Sequence, residues 1–442
     1  MMQQFLIHGG QRLNGEITAS GNKNAALKML AACLLTDSPM TLQNAPDIGD
    51  MRTAIDIMQQ LGAQIEWTGE KVLSVHAQNI VTAHIDRSLG ARMRASIVFA
   101  GPLLARMGMV RLPVPGGDAI GERRLDSHVA ALTKLGAEIT FEAGEFLMRA
   151  PNGLHGADIL LPEASVTATE NALMAAVTAH GTTILRNAAS EPHVQDLCKM
   201  LTAMGGQIDG IGSNQLIIHG VERLNGAEVR IGADFMEVGS FIGAAAVTGG
   251  AVTIRNADPQ YLDMVALVYA RLGVTWEVSG TDIIVPARQS LAVVPDLGNR
   301  IPIIKAQPWP AFPPDLMSIA LVIATQSIGS VLFHDWMYES RFFFTDRLVQ
   351  MGARVTLCDP HRVLVQGPSA LQGVANISSP DIRAGMALLL AALAANGVSR
   401  ISNIQQLDRG YEAVEYKLRS LGAQIERIDT ADSPQLNDMN IL

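Results

Sequence analysis

Leu421-Gly422-Ala423-Gln424-Ile425 reads as the last turn of a helix running directly into a strand. Val414, Leu418 and Leu421 keep helical spacing up to the glycine, and Ile425 and Ile428 carry the apolar pattern past it. A glycine at that junction can take the left-handed conformation that closes a helix. The phrase recurs as Leu61-Gly62-Ala63-Gln64-Ile65, Leu135-Gly136-Ala137-Glu138-Ile139, Met204-Gly205-Gly206-Gln207-Ile208, Leu272-Gly273-Val274-Thr275-Trp276 and Met351-Gly352-Ala353-Arg354-Val355. The spacing is about 70 residues, so six copies of one structural unit fill the chain.

Each unit holds a second helix of another kind, at 24–35, 94–107, 165–180, 234–248, 315–327 and 383–396. These segments are rich in Ala, Leu, Met and Val nearly all round, which fits burial or a membrane. None sustains the roughly 18 apolar residues of a spanning helix, so burial is the reading. One unit cannot cover its dry helix alone. Three units packed around their dry helices can, and two such triplets account for the chain, an α/β protein.

Chemistry concentrates where the dry helices start: Lys23, Arg94, Ser165, Asp234, Asp315 and Arg383. Pseudo-symmetry places equivalent positions on one end of each triplet. If the two ends face each other, several helix N-termini point into one cleft, and their free N–H groups and partial positive charge suit an anionic ligand. The alternative for any one of the six is ordinary capping.

The length of 442 residues suffices for two domains with large cores, and 48% hydrophobic with 17% charged residues fits a compact protein with much buried surface. A formal net charge of -9 argues against general nucleic-acid binding, so an anionic substrate needs local Lys and Arg. Cys33, Cys198 and Cys358 match no metal or disulfide pattern and read as reduced core thiols. No basic stretch followed by an apolar run opens the chain, so a cytoplasmic location is expected. The polar tail 429–442 is expected to be loose.

Five segments carry candidate sites. In Ser20-Gly21-Asn22-Lys23-Asn24-Ala25-Ala26-Leu27 a glycine turn feeds a helix with Lys at its opening, a place for a phosphate or carboxylate. The stretch from Pro113-Val114-Pro115-Gly116-Gly117-Asp118 to Glu122-Arg123-Arg124-Leu125-Asp126-Ser127-His128 has the Pro and Gly content of a mobile loop (113–127). Its carboxylate and guanidiniums could close over an anion, or could simply be solvated. In Pro308-Trp309-Pro310-Ala311-Phe312-Pro313-Pro314-Asp315, four prolines stiffen the approach to Asp315, which is either a cap or a working carboxylate. Asp381-Ile382-Arg383-Ala384-Gly385 and Leu407-Asp408-Arg409-Gly410-Tyr411-Glu412 each pair Asp with a nearby Arg, and either pair could be structural.

Taken in order, these segments resemble the enolpyruvyl transferase family over nearly the whole chain. The resemblance implies two inside-out α/β barrel domains, each of three βαβαββ-like repeats around buried helices. One would span 21–233 and the other 1–20 with 234–442. It implies transfer of the enolpyruvyl group of phosphoenolpyruvate to the 3′-hydroxyl of UDP-N-acetylglucosamine with release of phosphate, by addition and then elimination. Such a reaction needs two proton-transfer partners. By the same resemblance Asp315 handles the sugar hydroxyl, and Asp118 protonates the methylene carbon. Lys23, Arg123 and Arg409 bind phosphoenolpyruvate. Arg94, Arg123, Arg124, Leu125, Asp126 and Ser127 hold the nucleotide diphosphate and base. Asn24, Glu163, Ala164, Ser165, Val166 and Met337 line the sugar nucleotide. Arg383 contacts substrate, with Asp381, Arg341, Glu191 and Asp234 in support. No redox or metal cofactor is implied. The partners are two small molecules, with no nucleic acid, no membrane, and an oligomeric state that the chain does not specify.

The sequence departs from the family pattern at several points. Asp118 stands where most members have Cys, which predicts retained turnover and insensitivity to fosfomycin, an epoxide that alkylates a thiolate. Arg124 replaces a Pro, Thr167 a Gly and Pro314 a Thr, and Glu122 stands where a small residue is usual. These changes lie nearer the acceptor than the donor. Transfer to another nucleotide, nucleotide sugar or shikimate 3-phosphate, and an inactive paralogue that binds nucleotide sugar, are the competing readings.

Overall fold

The computed structural model describes residues 3–117, 121 and 124–429. By contact, the chain divides into two compact units. One is Ser20–Asp234 together with the short segment Pro308–Ala311; the other takes the rest.

The repeated glycines do what their spacing asks of them. All six have positive φ, from +87° at Gly273 to +109° at Gly62. At Gly62 the N–H donates to the Gln59 carbonyl at 3.0 Å and the next N–H, of Ala63, donates back to Met58 at 3.0 Å. Gly422 and Ala423 repeat the pair on Arg419 and Leu418, each at 2.9 Å. This is the Schellman closure, which satisfies carbonyls that a helix end leaves open and turns the chain into the next strand.

In the Ser20–Asp234 unit, the strand after each dry helix is the hub of a sheet: Met40–Gln43, Met109–Pro113 and Thr182–Arg186. Each hub pairs antiparallel with the strand that closes its own repeat, Val72–His76, Glu145–Arg149 or Gln215–His219. On its other edge it receives chain in parallel from the preceding repeat. Asp158–Leu160 lies along Thr182–Arg186, and His84 bridges to Arg111. The third repeat hands Glu228–Arg230 back to Met40–Gln43, which closes the cycle. Parallel pairing needs a long crossover, and the dry helix supplies it.

The other unit repeats the scheme. Asn14–Thr18 lies parallel to Ala251–Arg255, Ile303–Lys305 to Gly329–His334, and Ile377–Ser378 to Val398–Ser402. Its last repeat is completed by the start of the chain. Gln3–His8 fills the gap between Val398–Ser402 and Gln424–Asp429, antiparallel to both.

The dry helices form the interior of each unit. Residues 235–246, 317–325 and 382–393 are buried without a break. The three helices pack on one another, and closely: a Cβ added at Gly243 would lie 2.8 Å from Ile319 and 3.3 Å from Leu390. The wet helices bury one face only, as in Gly49–Leu61, where Met51, Ala54, Ile57, Met58 and Leu61 point inward. Among the described residues, no helix is long and apolar enough to cross a membrane.

Several expectations need correction. The segment 94–107 is not one α-helix: Arg94–Phe99 is a 3-10 turn and the α-helix is Ala100–Met107. Pro102 lacks the N–H that an α-helix begun at Arg94 would need there, but is tolerated in the first turn of a helix begun at Ala100. The helix expected at 165–180 stops at Ala176. Cys33 and Cys198 are buried, but Cys358 is exposed. It lies on the edge strand Val355–Asp359, where Thr356 and Leu357 are exposed as well. The tail 430–442, with Asp118 and Arg123, lies outside the described residues.

Candidate active site

Lys23 is the first residue of the helix Lys23–Ala32, whose N-terminus is capped by the Asn22 side chain through Ala25 N–H. The Lys23 ammonium is buried and lies 2.8 Å from Asp50 Oδ2. Its backbone N–H donates to Asp234 Oδ2 at 3.2 Å. Two carboxylates brought by other segments therefore hold the opening of this helix. Asp50 comes from the first turn of a wet helix, a position indistinguishable in sequence from a helix-dipole acid.

Arg94 opens the 3-10 turn against which helices Lys23–Ala32 and Val166–Ala176 both pack. Three helix starts of this unit thus share one end. The strand Met109–Pro113 leads to a backbone laid tightly along Ala91–Arg94. A side chain at Gly116 would strike the Ala91 carbonyl, and Gly117 adopts φ +111° with room for no Cβ beside Arg94. After the undescribed part of the loop the chain returns to the same place. Arg94 Nη2 donates to the Arg124 carbonyl at 3.2 Å. Arg124 and Asp126 are exposed, with their charges 3.7 Å apart, and Leu125 is half-buried.

Ser127 lies in the first turn of the helix Asp126–Lys134 and its hydroxyl donates to Glu163 Oε1 at 3.2 Å. Ser165 caps the helix Val166–Ala176 by accepting from Ala168 N–H at 3.4 Å, after a turn in which its own N–H donates to the Glu163 carbonyl at 2.7 Å. The structure thus brings Arg94, Arg124, Leu125, Asp126, Ser127, Glu163, Ala164, Ser165 and Val166 to one end of this unit, with Lys23 and Asn24 on the neighbouring helix.

Behind them sits a polar layer the sequence did not disclose. His128 is buried, with Nε2 3.0 Å from Thr167 Oγ1 and Nδ1 2.9 Å from Asn171 Nδ2. Burial, with the Arg94 charge nearby, pushes its pKa down to about 3, so it is a neutral spacer. Thr167, a departure from the family phrase, is thereby explained as the partner of His128. One turn deeper, Lys28 Nζ lies 3.4 Å from the fully buried Glu170. Burial raises the Glu170 pKa to about 7, against the opposing pull of Lys28. Burial also raises the pKa of Glu191, although its carboxylate accepts the Trp309 N–H.

In the other unit the centre is Asp315, in the 3-10 turn Pro314–Leu316 that precedes the helix Met317–Gln326. Arg341 Nη2 donates to its Oδ1 and Arg383 Nε to its Oδ2, each at 3.0 Å. Both guanidiniums are buried while the carboxylate keeps about a quarter of its side chain exposed, at 27%. Burial works against the Arg341 charge, but Asp315 and Asp381 outweigh it and its pKa is raised.

Asp381 is the true cap of its helix, accepting from Arg383 N–H at 2.7 Å and Ala384 N–H at 2.9 Å. The Arg383 guanidinium lies over the Tyr411 ring at 5.5 Å, and Tyr411 in turn shares a 2.9 Å bond with Ser240. Arg409, two residues before Tyr411, donates to Gln406 Oε1 at 2.8 Å. Asp408 receives two bonds from Arg427 on the last strand, at 2.7 and 2.9 Å, which pins the turn carrying Arg409. Met337 is half-buried, its N–H bound at 2.9 Å to Asp335 Oδ1. Asp315, Arg341, Arg383 and Met337 are thus tied into one network of this unit, and Arg409 stands two residues from Tyr411, which packs on Arg383. Asp335, Arg427, Lys28 and Glu170 went unnoticed in the sequence because nothing local marks a buried partner.

Comparison with known proteins follows the same lines. The family model for EPSP synthase (3-phosphoshikimate 1-carboxyvinyltransferase) matches residues 7–418. A UDP-N-acetylglucosamine 1-carboxyvinyltransferase of Bradyrhizobium diazoefficiens is 53% identical over 96% of this chain and 98% of its own. Proteins of that name from Treponema denticola and Bacteroides fragilis are 51% and 45% identical, over 96% and 97% of this chain and 99% and 100% of theirs. Among solved structures, the enolpyruvyl transferase NikO from Streptomyces tendae superimposes with a TM-score of 0.85 at 24% identity, over 96% of this chain and 99% of its own. EPSP synthase from Acinetobacter baumannii gives 0.74 at 18%, over 97% and 100%. Those two likenesses bear on the fold. The chain belongs to the enolpyruvyl transferase family, in the branch whose curated members are UDP-N-acetylglucosamine 1-carboxyvinyltransferases.

Proposed function

We propose that this protein transfers the enolpyruvyl group of phosphoenolpyruvate to the 3′-hydroxyl of UDP-N-acetylglucosamine and releases phosphate. Asp315 carries the reading: a partly exposed carboxylate at a helix opening, held on both oxygens by buried guanidiniums, in a chain more than half identical to a named enzyme of that activity over nearly its full length. The shared name of the relatives favours this acceptor over shikimate 3-phosphate or another nucleotide.

Asp315 takes the sugar hydroxyl proton as the oxygen adds to C2 of phosphoenolpyruvate. A second acid delivers a proton to C3, and Asp118 is assigned that part. The tetrahedral adduct then loses the C3 proton and phosphate, which restores the double bond. Lys23, Arg123 and Arg409 balance the donor's phosphate and carboxylate charges. Arg94 and Arg124 to Ser127 hold the nucleotide. Asn24, Glu163 to Val166, Met337 and Arg383 contact the sugar nucleotide.

Each unit, with helices inside and sheets around them, is read as one inside-out α/β domain of the family. The reaction is placed in the cytoplasm, at the start of peptidoglycan precursor synthesis. Asp118 in place of a thiol makes the enzyme insensitive to fosfomycin.

Mass spectrometry of the product formed from phosphoenolpyruvate and UDP-N-acetylglucosamine tests the proposal. The expected result is the enolpyruvyl ether of the sugar nucleotide with one phosphate released per ether. Phosphate release with another acceptor alone would replace it.

A further inference from the structure

Asp335 is a fully buried acid that no motif includes. It follows the strand Gly329–His334, and its Oδ1 accepts from Met337 N–H at 2.9 Å and Tyr338 N–H at 3.2 Å. The His361 ring and backbone fix its main chain: His361 Nδ1 lies 2.8 Å from the Asp335 carbonyl, and Asp335 N–H donates to the His361 carbonyl at 2.9 Å. Its other oxygen, Oδ2, has no hydrogen-bond partner and faces Arg341 Nε at 3.8 Å, itself without one. Arg341 lies over the Tyr338 ring at 4.9 Å and spends its Nη2 on Asp315.

A buried carboxylate oxygen that meets a guanidinium only at 3.8 Å is costly, and that guanidinium is one of the two that hold Asp315. The charged or titratable groups around Arg341 are Asp315, Asp335, Asp381 and Tyr338; Arg383 joins them through Asp315. We infer that Asp335 is a positioning residue for the proposed proton transfer: it shares the charge of Arg341 with Asp315 and fixes the turn that presents Met337. By drawing on the same guanidinium, it leaves Asp315 a better base than a carboxylate holding that guanidinium alone. The inference rests on the reading of Asp315 as the group that accepts the sugar proton.

The test is the pH profile of kcat/KM for phosphate release in Asp335→Asn, which keeps an acceptor for Met337 N–H and removes the charge. The expected result is an acid limb moved to lower pH by about half a unit or more, with at least a roughly threefold lower plateau kcat. In an Arg341→Lys background the same substitution should shift the limb by less, since the coupling runs through the guanidinium. An unmoved limb overturns the inference, whether kcat is unchanged or is lost as for a merely structural residue. Should Asp335→Asn fail to fold, Asp335→Ser retains a hydroxyl acceptor and reads the same limb. A wild-type protein that releases no phosphate from the two substrates would remove the reading of Asp315 and this inference together. Wild-type turnover with an unmoved limb removes the inference alone.

Discussion

Arg383 and Asp315 lie 68 positions apart in the chain and share a 3.0 Å hydrogen bond between Nε and Oδ2. The carboxylate is thereby fixed in direction while its side chain stays 27% exposed. Asp315→Asn retains the volume but cannot accept the sugar proton. Turnover is expected to fall at least about 100-fold, the usual scale for a lost general base. Substrate binding followed by calorimetry should change far less; equal losses in kcat and affinity would point to a binding role.

Lys23 is held at 2.8 Å by Asp50, within a buried niche at a helix start. Its compact ammonium, not its charge alone, fits there. Lys23→Arg is therefore expected to raise KM for phosphoenolpyruvate about as much as Lys23→Ala, at least roughly tenfold for both. Recovery of near wild-type KM by arginine would contradict the packing argument.

Glu170 prefers to be protonated in the folded chain, with a pKa raised from 4.5 to about 7 by burial. The folded state then binds more protons than the unfolded chain between those values, so this contribution is fully present below pH 4.5 and is lost as pH rises through about 7. Urea unfolding of Glu170→Gln against wild type is expected to show a difference in slope confined to that window. Glu170→Ala, which leaves Lys28 buried without its nearest carboxylate, should cost about 3–5 kcal/mol at neutral pH. The double change Lys28→Met with Glu170→Leu should be close to neutral.

His128 behaves oppositely. The unfolded imidazole takes a proton below its ordinary value of 6.5, but burial and Arg94 deny it one in the folded chain down to about 3. Its contribution is lost as pH falls from 6.5 toward 3. His128→Gln can still bond Thr167 and Asn171 and should flatten the acid side of the stability curve in denaturant titrations. An unaltered acid slope would mean that His128 is protonated in the folded state.

Asp118 supplies the pharmacological prediction. A carboxylate is a weak nucleophile toward an epoxide, whereas a thiolate is a strong one. Preincubation with fosfomycin and the sugar nucleotide should leave the rate unchanged, and Asp118→Cys should become sensitive. Covalent inactivation of the wild type, seen as a mass increase on the loop peptide, would refute the assignment.

The repeat was legible because its cause is local. A glycine that must take positive φ, an amphipathic stretch before it and an alternating stretch after it are properties of adjacent residues, and the six helix ends have positive φ where that phrase stands. The dry helices were equally legible, since an all-apolar surface has nowhere to go but inside. Their edges were not: the 3-10 turns at Arg94 and Pro314 reflect a proline and tertiary contacts that override propensity.

The site was legible in its residues and opaque in its partnerships. Asp381-Ile382-Arg383 looked like an acid beside a base, yet the Arg383 guanidinium reaches Asp315 on another helix, and Asp381 caps its own. Asp408 likewise meets Arg427 from the last strand. Sequence alone determined the repeat, the buried helices and which segments carry charge, because those follow from the period of apolar residues and the backbone needs of glycine and proline. Only the tertiary structure decided who holds Asp315, who holds Lys23 and that Asp335 is buried beside Arg341. Hydrogen bonds and ion pairs act over about 3 Å in space, and sequence distance says nothing about that.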